Sequence, residues 1–140
     1  MPTVEVTSPP LTPSARLRAA VRLTRWFAAR GSDPAHVVVQ FRPAEPMACF
    51  AGGVPLSRFE DAAGEQRAAA WALAVCHVHR DRGPDYLAGL AEEVRAALGV
   101  VDGHCVVRCE PTDPERVFSL QDGQMTDSSP ALVGAAQEGR

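Results

Sequence analysis

Lysine is absent from this chain: all fourteen basic residues among its 140 are arginines. Guanidinium groups stay protonated in proteins, so no side chain here supplies an amine base or amine nucleophile near neutral pH. That leaves the chain terminus as the one amine able to do such chemistry. A basic patch is also lacking. The formal net charge is −3, charges of both signs are spread along the chain, and no aromatic series is interleaved with cations, which argues against nucleic acid as a partner. No apolar run reaches the length of a membrane span, and the first residues lack the basic and apolar regions of a signal peptide, so no membrane role and a cytoplasmic location are expected. There is no CxxC pair. Cys49, Cys76, Cys105 and Cys109 lie mostly in strand-like segments and read as free thiols, acting as small buried hydrophobes. Nor is there a glycine-rich phosphate loop, so no cofactor is implied. Missing lysine beside abundant Ala, Arg and Gly matches the composition of G+C-rich bacterial sources.

What is present starts at the second residue. Pro2 leads into an alternating strand pattern, Thr3-Val4-Glu5-Val6-Thr7. If Met1 is removed, as is usual before a small residue, Pro2 becomes a secondary amine at the edge of a sheet. In open water such an amine is protonated and idle. Burial disfavours the ammonium form, and nearby arginines disfavour it further, so in an apolar, cationic pocket Pro2 is a ready general base.

A helix is signalled next, with Thr12 as cap, Pro13 in its first position and Gly31 at its end. Leu17, Ala20, Val21, Thr24, Phe27 and Ala28 recur at helical spacing as the expected buried stripe, with Arg16, Arg18, Arg22 and Arg25 on the solvated side. The strand from His36 to Arg42 contains Val37, Val38 and Val39 in succession, which suggests burial on both faces. The pattern then repeats: a strand over Ala70 to Arg80, a helix opened by Pro84 with Leu87, Leu90, Ala91, Val94 and Leu98 on one stripe, closure at Gly99, and a strand over His104 to Cys109. These are two βαβ units, residues 2–42 and 70–109, joined by a hairpin or loop over 43–69. The implied fold class is α/β (α+β), a four-stranded, mainly parallel sheet with both helices on one face and a pseudo-two-fold between the halves. One domain over 1–125 and a mobile tail over 126–140 complete the expected organisation.

An amino-terminal proline ahead of two βαβ units resembles the tautomerase superfamily. The run Leu11-Thr12-Pro13-Ser14-Ala15, Phe41, the segment Phe50-Ala51-Gly52-Gly53-Val54 and the pair His79-Arg80 are similar, in order and spacing, to the cis-3-chloroacrylic acid dehalogenase group. The resemblance covers roughly residues 2–120, with an apparent insertion around Leu56 to Arg67. It implies a homotrimer, a catalytic Pro2, and Arg80 as the arginine that holds a substrate carboxylate. In that group a histidine in the first helix, a second arginine, a tyrosine and a glutamate complete the site. Here Phe27 stands at the histidine position, Gly83 at the second arginine's with Arg82 adjacent, Val107 or Arg108 near the tyrosine's, and Ser119 near the glutamate's with Glu115 the closest carboxylate. Hydrating a haloacrylate needs a positioned water, which these changes remove; tautomerising an enolisable acid needs one base and one cation.

The sequence therefore points to an enzyme in which Pro2 shuttles a proton on a small carboxylate-bearing keto or enol substrate, with Arg80 catalytic and Arg82, Phe27, Arg108 and Glu115 in the substrate site. Iminium formation at Pro2 is a variant the sequence does not separate from proton shuttling. The pocket is expected to be dry, containing Pro2, Phe27 and Arg80 with few polar groups. A non-catalytic paralogue, serving as a structural subunit or ligand-binding protein, is the alternative. His77 and His79 share a strand face and with His104 resemble metal ligands, but no carboxylate sits at ligand spacing, so no metal is expected.

Overall fold

The computed structural model describes residues 1–62 and 69–129. Strand β1 (Thr3–Ser8) is followed by helix α1 (Pro13–Ala28) and strand β2 (Val38–Pro43). A small hairpin, β3 (Phe50–Ala51) and β4 (Val54–Pro55), precedes a 3-10 helix over Leu56–Ala62. Strand β5 (Ala72–His79), helix α2 (Pro84–Leu98) and strand β6 (Cys105–Thr112) form the second unit, and a terminal hairpin pairs β7 (Phe118–Gln121) with β8 (Gln124–Asp127). Within each unit the strands are parallel, while β1 and β5 pair antiparallel, giving the sheet order β2-β1-β5-β6. A pseudo-two-fold between the central strands follows from that arrangement.

Alternation along the central strands decides which face is covered. Val4 and Val6 of β1 and Ala72, Ala74, Cys76 and Val78 of β5 are buried in one cluster with Ala19, Leu23 and Phe27 of α1 and Leu90, Val94 and Leu98 of α2, so both helices lie on the same face. Each fully buried Val, Leu or Phe contributes roughly 1.5–3 kcal/mol. The helix signals act as read: Thr12 accepts from the Ala15 amide at 3.1 Å, and Gly99 caps α2 in the left-handed region at φ 72°.

Two readings of the pattern are corrected. The buried row of α1 is Ala15, Ala19, Leu23 and Phe27, whereas Leu17 is 66% exposed and Val21 39%. Rows offset by two residues lie about 200° apart round a helix, and the small alanines are what allow α1 to settle on the sheet. Second, β2 is an edge strand, with Val38 exposed on the helix-free face and only its alternate residues Val39 and Phe41 against the core. The expected tail is partly different as well: Thr126 and Asp127 belong to β8, and residues 130–140 lie outside the described residues. Part of the apparent insertion, 63–68, is outside them too.

Among the glycines of the described residues, Gly103, in the turn before β6, has the tightest approach to neighbouring backbone. A Cβ there would land on the Ala70 carbonyl oxygen, where the chain enters β5. Gly103→Ala is expected to cost about 2 kcal/mol or more and to shift the denaturant midpoint without changing the slope. An unchanged midpoint would show that the turn relaxes freely.

Candidate active site

Antiparallel pairing of β1 with β5 sets Thr3 opposite His77, so the residues before Thr3 lie beside the carboxyl end of β5. Pro2 is buried there, and its carbonyl accepts from the Val38 amide at 3.1 Å. A cavity of about 430 Å³ opens at this end of the sheet. Met1 and Pro2 line it with Val78 and His79 from β5, Arg82 from the following turn, and Tyr86 from the first turn of α2. The connection after α1 adds Ser32, Asp33 and His36, and the terminal hairpin closes the rim with Gln121 and residues 126–129.

An arginine and the terminal amine share the cavity, whose lining also carries the Asp33 and Asp127 side chains. Burial first, and the Arg82 charge second, hold the Met1 ammonium below its ordinary value of 8.0. Arg82 takes no carboxylate partner among the described residues; its guanidinium carbon instead lies 4.6 Å from the centre of the Tyr86 ring. Burial pushes the Tyr86 phenol above its usual range, outweighing the opposing charges of Arg82 and Arg30. The Asp81 amide donates to His79 Nδ1 at 3.0 Å, which places any proton of the neutral ring on Nε2.

The residues singled out in the sequence are placed unequally. Pro2 and Arg82 come together at the cavity. Arg80 is directed toward β6, where Nη1 meets Asp113 Oδ1 at 2.7 Å, and it does not line the cavity. Phe27 is wholly buried in the core in a T-shaped contact with Trp26 and does not reach the cavity either. Arg108 pairs with Glu110 at 2.8 Å, which β6 aligns with Val75 and His77 on the face away from the helices, and Glu115 is exposed in the 3-10 turn after β6. The lining is also more polar than the expected dry pocket, because the connection after α1 and the terminal hairpin present side chains that no strand or helix pattern assigns.

The hairpin had a readable signal in Asp122-Gly123, both with positive φ (50° and 79°), a turn pair that suits a two-residue hairpin loop. Tyr86 had no such signal; its place comes from the start of α2 facing the end of α1. Among the described residues no group of three His, Cys, Asp or Glu side chains is placed to hold a metal. His77 instead lies 3.2 Å from Glu5, and His79 binds the backbone of its own turn. Cys76 is buried with its thiol pushed up to about 12, mainly by desolvation, which leaves it a packing residue. No helix of the described residues is long and apolar enough to cross a membrane.

No protein-family model and no curated protein sequence matches the chain. Solved structures do share its fold. N1, a member of the cis-3-chloroacrylic acid dehalogenase family, aligns with a TM-score of 0.61 at 16% identity over 96% of this chain and 90% of its own. Native fused 4-OT aligns at 0.62 and 18% identity over 99% of both chains. Macrophage migration inhibitory factor from Toxoplasma gondii aligns at 0.62 and 14% identity over 89% of this chain and 99% of its own. The chain thus shares the βαβ-repeat α+β fold of these structures.

Two outcomes follow from these placements. Arg82→Ala should raise the pKa of the amino terminus toward its ordinary value, measured by NMR titration of a chain labelled at that residue; an unmoved pKa would remove Arg82 from the site's field. Phe27→Ala should cost about 3–5 kcal/mol in chemical denaturation, as a core truncation does, and a loss below about 1 kcal/mol would contradict its burial.

Proposed function

We propose that the chain is a tautomerase-type enzyme in which Pro2, freed by removal of Met1, is the base and proton carrier and Arg82 holds the carboxylate of a small keto or enol acid. The observation that carries this reading is an Arg82 guanidinium that pairs with no carboxylate among the described residues, in a cavity that also depresses an amine. Removing Met1 moves the amine one residue inward, onto the buried Pro2 ring, in the same low-dielectric and cationic surroundings. A neutral prolyl nitrogen there takes the enol hydroxyl proton, and the resulting ammonium returns a proton to the neighbouring carbon. The arginine offsets the charge that develops between these steps. Arg80 has less support in this role because Asp113 already neutralises it. Iminium chemistry at the same nitrogen is compatible with the same geometry.

Assembly as a homotrimer belongs to this reading. The sheet face opposite the helices carries Thr3, Glu5, Leu73, Val75 and Val106, with Val38 and Val106 exposed, and it is the broad surface available for subunit contact. A second reading, a non-catalytic subunit, is favoured by the losses from the resembled site, with Phe27 at the histidine position and Gly83 at the second arginine's.

Mass spectrometry of the purified chain separates the two, with loss of the Met1 mass expected. The processed protein should tautomerise a simple enol acid such as phenylenolpyruvate and leave 3-chloroacrylates intact. Pro2→Ala should lose roughly 100-fold or more in kcat. Arg82→Ala should lose about 10- to 100-fold in kcat/KM, chiefly through KM, as expected for a charged hydrogen-bonding contact, while Arg80→Ala should stay near wild type. Equal rates for wild type and Pro2→Ala would refute the catalytic role, and retained Met1 or inactivity across keto acids would establish the non-catalytic reading.

A further inference from the structure

An arginine with no carboxylate to hold it is ordinarily a mobile side chain, swinging on a long flexible stem. Arg82 is not left in that state. Its guanidinium lies over the Tyr86 ring at 4.6 Å, and that ring meets Trp26 at 5.0 Å with an interplanar angle of 65°. Trp26 is itself fixed on three sides. Its ring makes a T-shaped contact with the wholly buried Phe27 at 5.3 Å, the Arg30 guanidinium covers it at 3.8 Å, and it lies against α2 at Gly89. Arg30 is pinned in turn, since its Nη1 donates to the Trp26 carbonyl at 3.0 Å. The result is a column of two rings, Trp26 and Tyr86, flanked by two cations, Arg30 and Arg82, rooted in the core and ending in the cavity.

We infer that Tyr86 is a positioning residue, whose ring, braced by Trp26, fixes the plane of the Arg82 guanidinium so that its N–H edge faces the cavity. The inference rests on the reading of Arg82 as the group that binds the substrate carboxylate. The ring covers the side of the guanidinium that lies over it, so donors directed away from the ring stay free, and a carboxylate can take two parallel hydrogen bonds from them. Pre-ordering the cation means that binding does not have to freeze it. The phenolic hydroxyl has no part in this, so the ring alone carries the effect.

The test compares wild type with Tyr86→Phe, which keeps the ring, and Tyr86→Leu, which removes it. Tyr86→Met replaces the leucine variant if that one does not fold, as judged from the amide spectrum. The first readout is the Arg82 Nε–H NMR signal. It should be shifted by the ring current and motionally restricted in wild type and Tyr86→Phe, and should move to the position and mobility of a free arginine in Tyr86→Leu. The second is kinetic: KM for phenylenolpyruvate should rise roughly 3- to 30-fold in Tyr86→Leu with kcat within about threefold, and Tyr86→Phe should match wild type. A wild-type Arg82 signal in Tyr86→Leu overturns the inference whatever the kinetics show. A released signal combined with an unchanged KM in Arg82→Ala supports the positioning role and overturns instead the assignment of the carboxylate to Arg82.

Discussion

The antiparallel pairing of β1 with β5 is the contact on which the rest of the molecule depends. Each βαβ unit alone would have a two-stranded parallel sheet with one helix, too little to bury a core. Joined through Thr3–Thr7 and Leu73–His77, the two units give four strands, and the helices come to lie side by side over Val4, Val6, Ala74 and Cys76. The same register sends β1 and β5 in opposite directions. The chain's first residues therefore lie beside the last residues of β5, with the start of α2 one turn further on. A single pairing thus closes the core and assembles the cavity.

Charge is distributed so that Arg82, at the cavity, is without a carboxylate partner among the described residues while several other arginines are paired. Arg22, Arg42, Arg80, Arg95, Arg108 and Arg116 each have a carboxylate within 4.0 Å, and these exposed pairs add little stability. Their consequence is a quiet surface. Arg82 differs in having a ring for a neighbour where those residues have an anion, and its field reaches the terminal amine. An amine and a guanidinium placed together disfavour the ammonium form, which stabilises nothing in the fold and suits a base.

Much of the architecture was legible because it follows from local signals. Pro13 and Pro84 open helices, Thr12 and Gly99 cap their ends, and alternation marks the central strands. Periodicity failed where two apolar rows compete on one helix: Leu17 and Val21 are more hydrophobic than Ala15 and Ala19, yet close approach to the sheet favours the smaller residues. The site was legible only in part for a related reason. Pro2 is placed by the strand it begins, but whether Arg80 or Arg82 enters the cavity depends on how the chain turns after β5. The Arg82 amide bonds back to the His79 carbonyl at 3.1 Å, while Arg80 continues toward β6 and Asp113. Tyr86 and the hairpin residues reach the cavity through tertiary packing, which no periodicity records.

Among the described residues the terminal hairpin shares no strand pairing with the four-stranded sheet, β7 and β8 pairing with each other. Its exit is tied down by Ser128, whose amide donates to the carbonyls of Pro114 and Val117. Yet this appendage supplies Gln121, Thr126, Asp127, Ser128 and Ser129 to the rim, whereas the floor, from Pro2 to Arg82, is locked to the core. Substitutions in the hairpin can change what the rim recognises without altering the register that holds the floor. The fold in this way separates the shape and polarity of the rim from the strand register of the floor, so that the first can change while the second stays fixed.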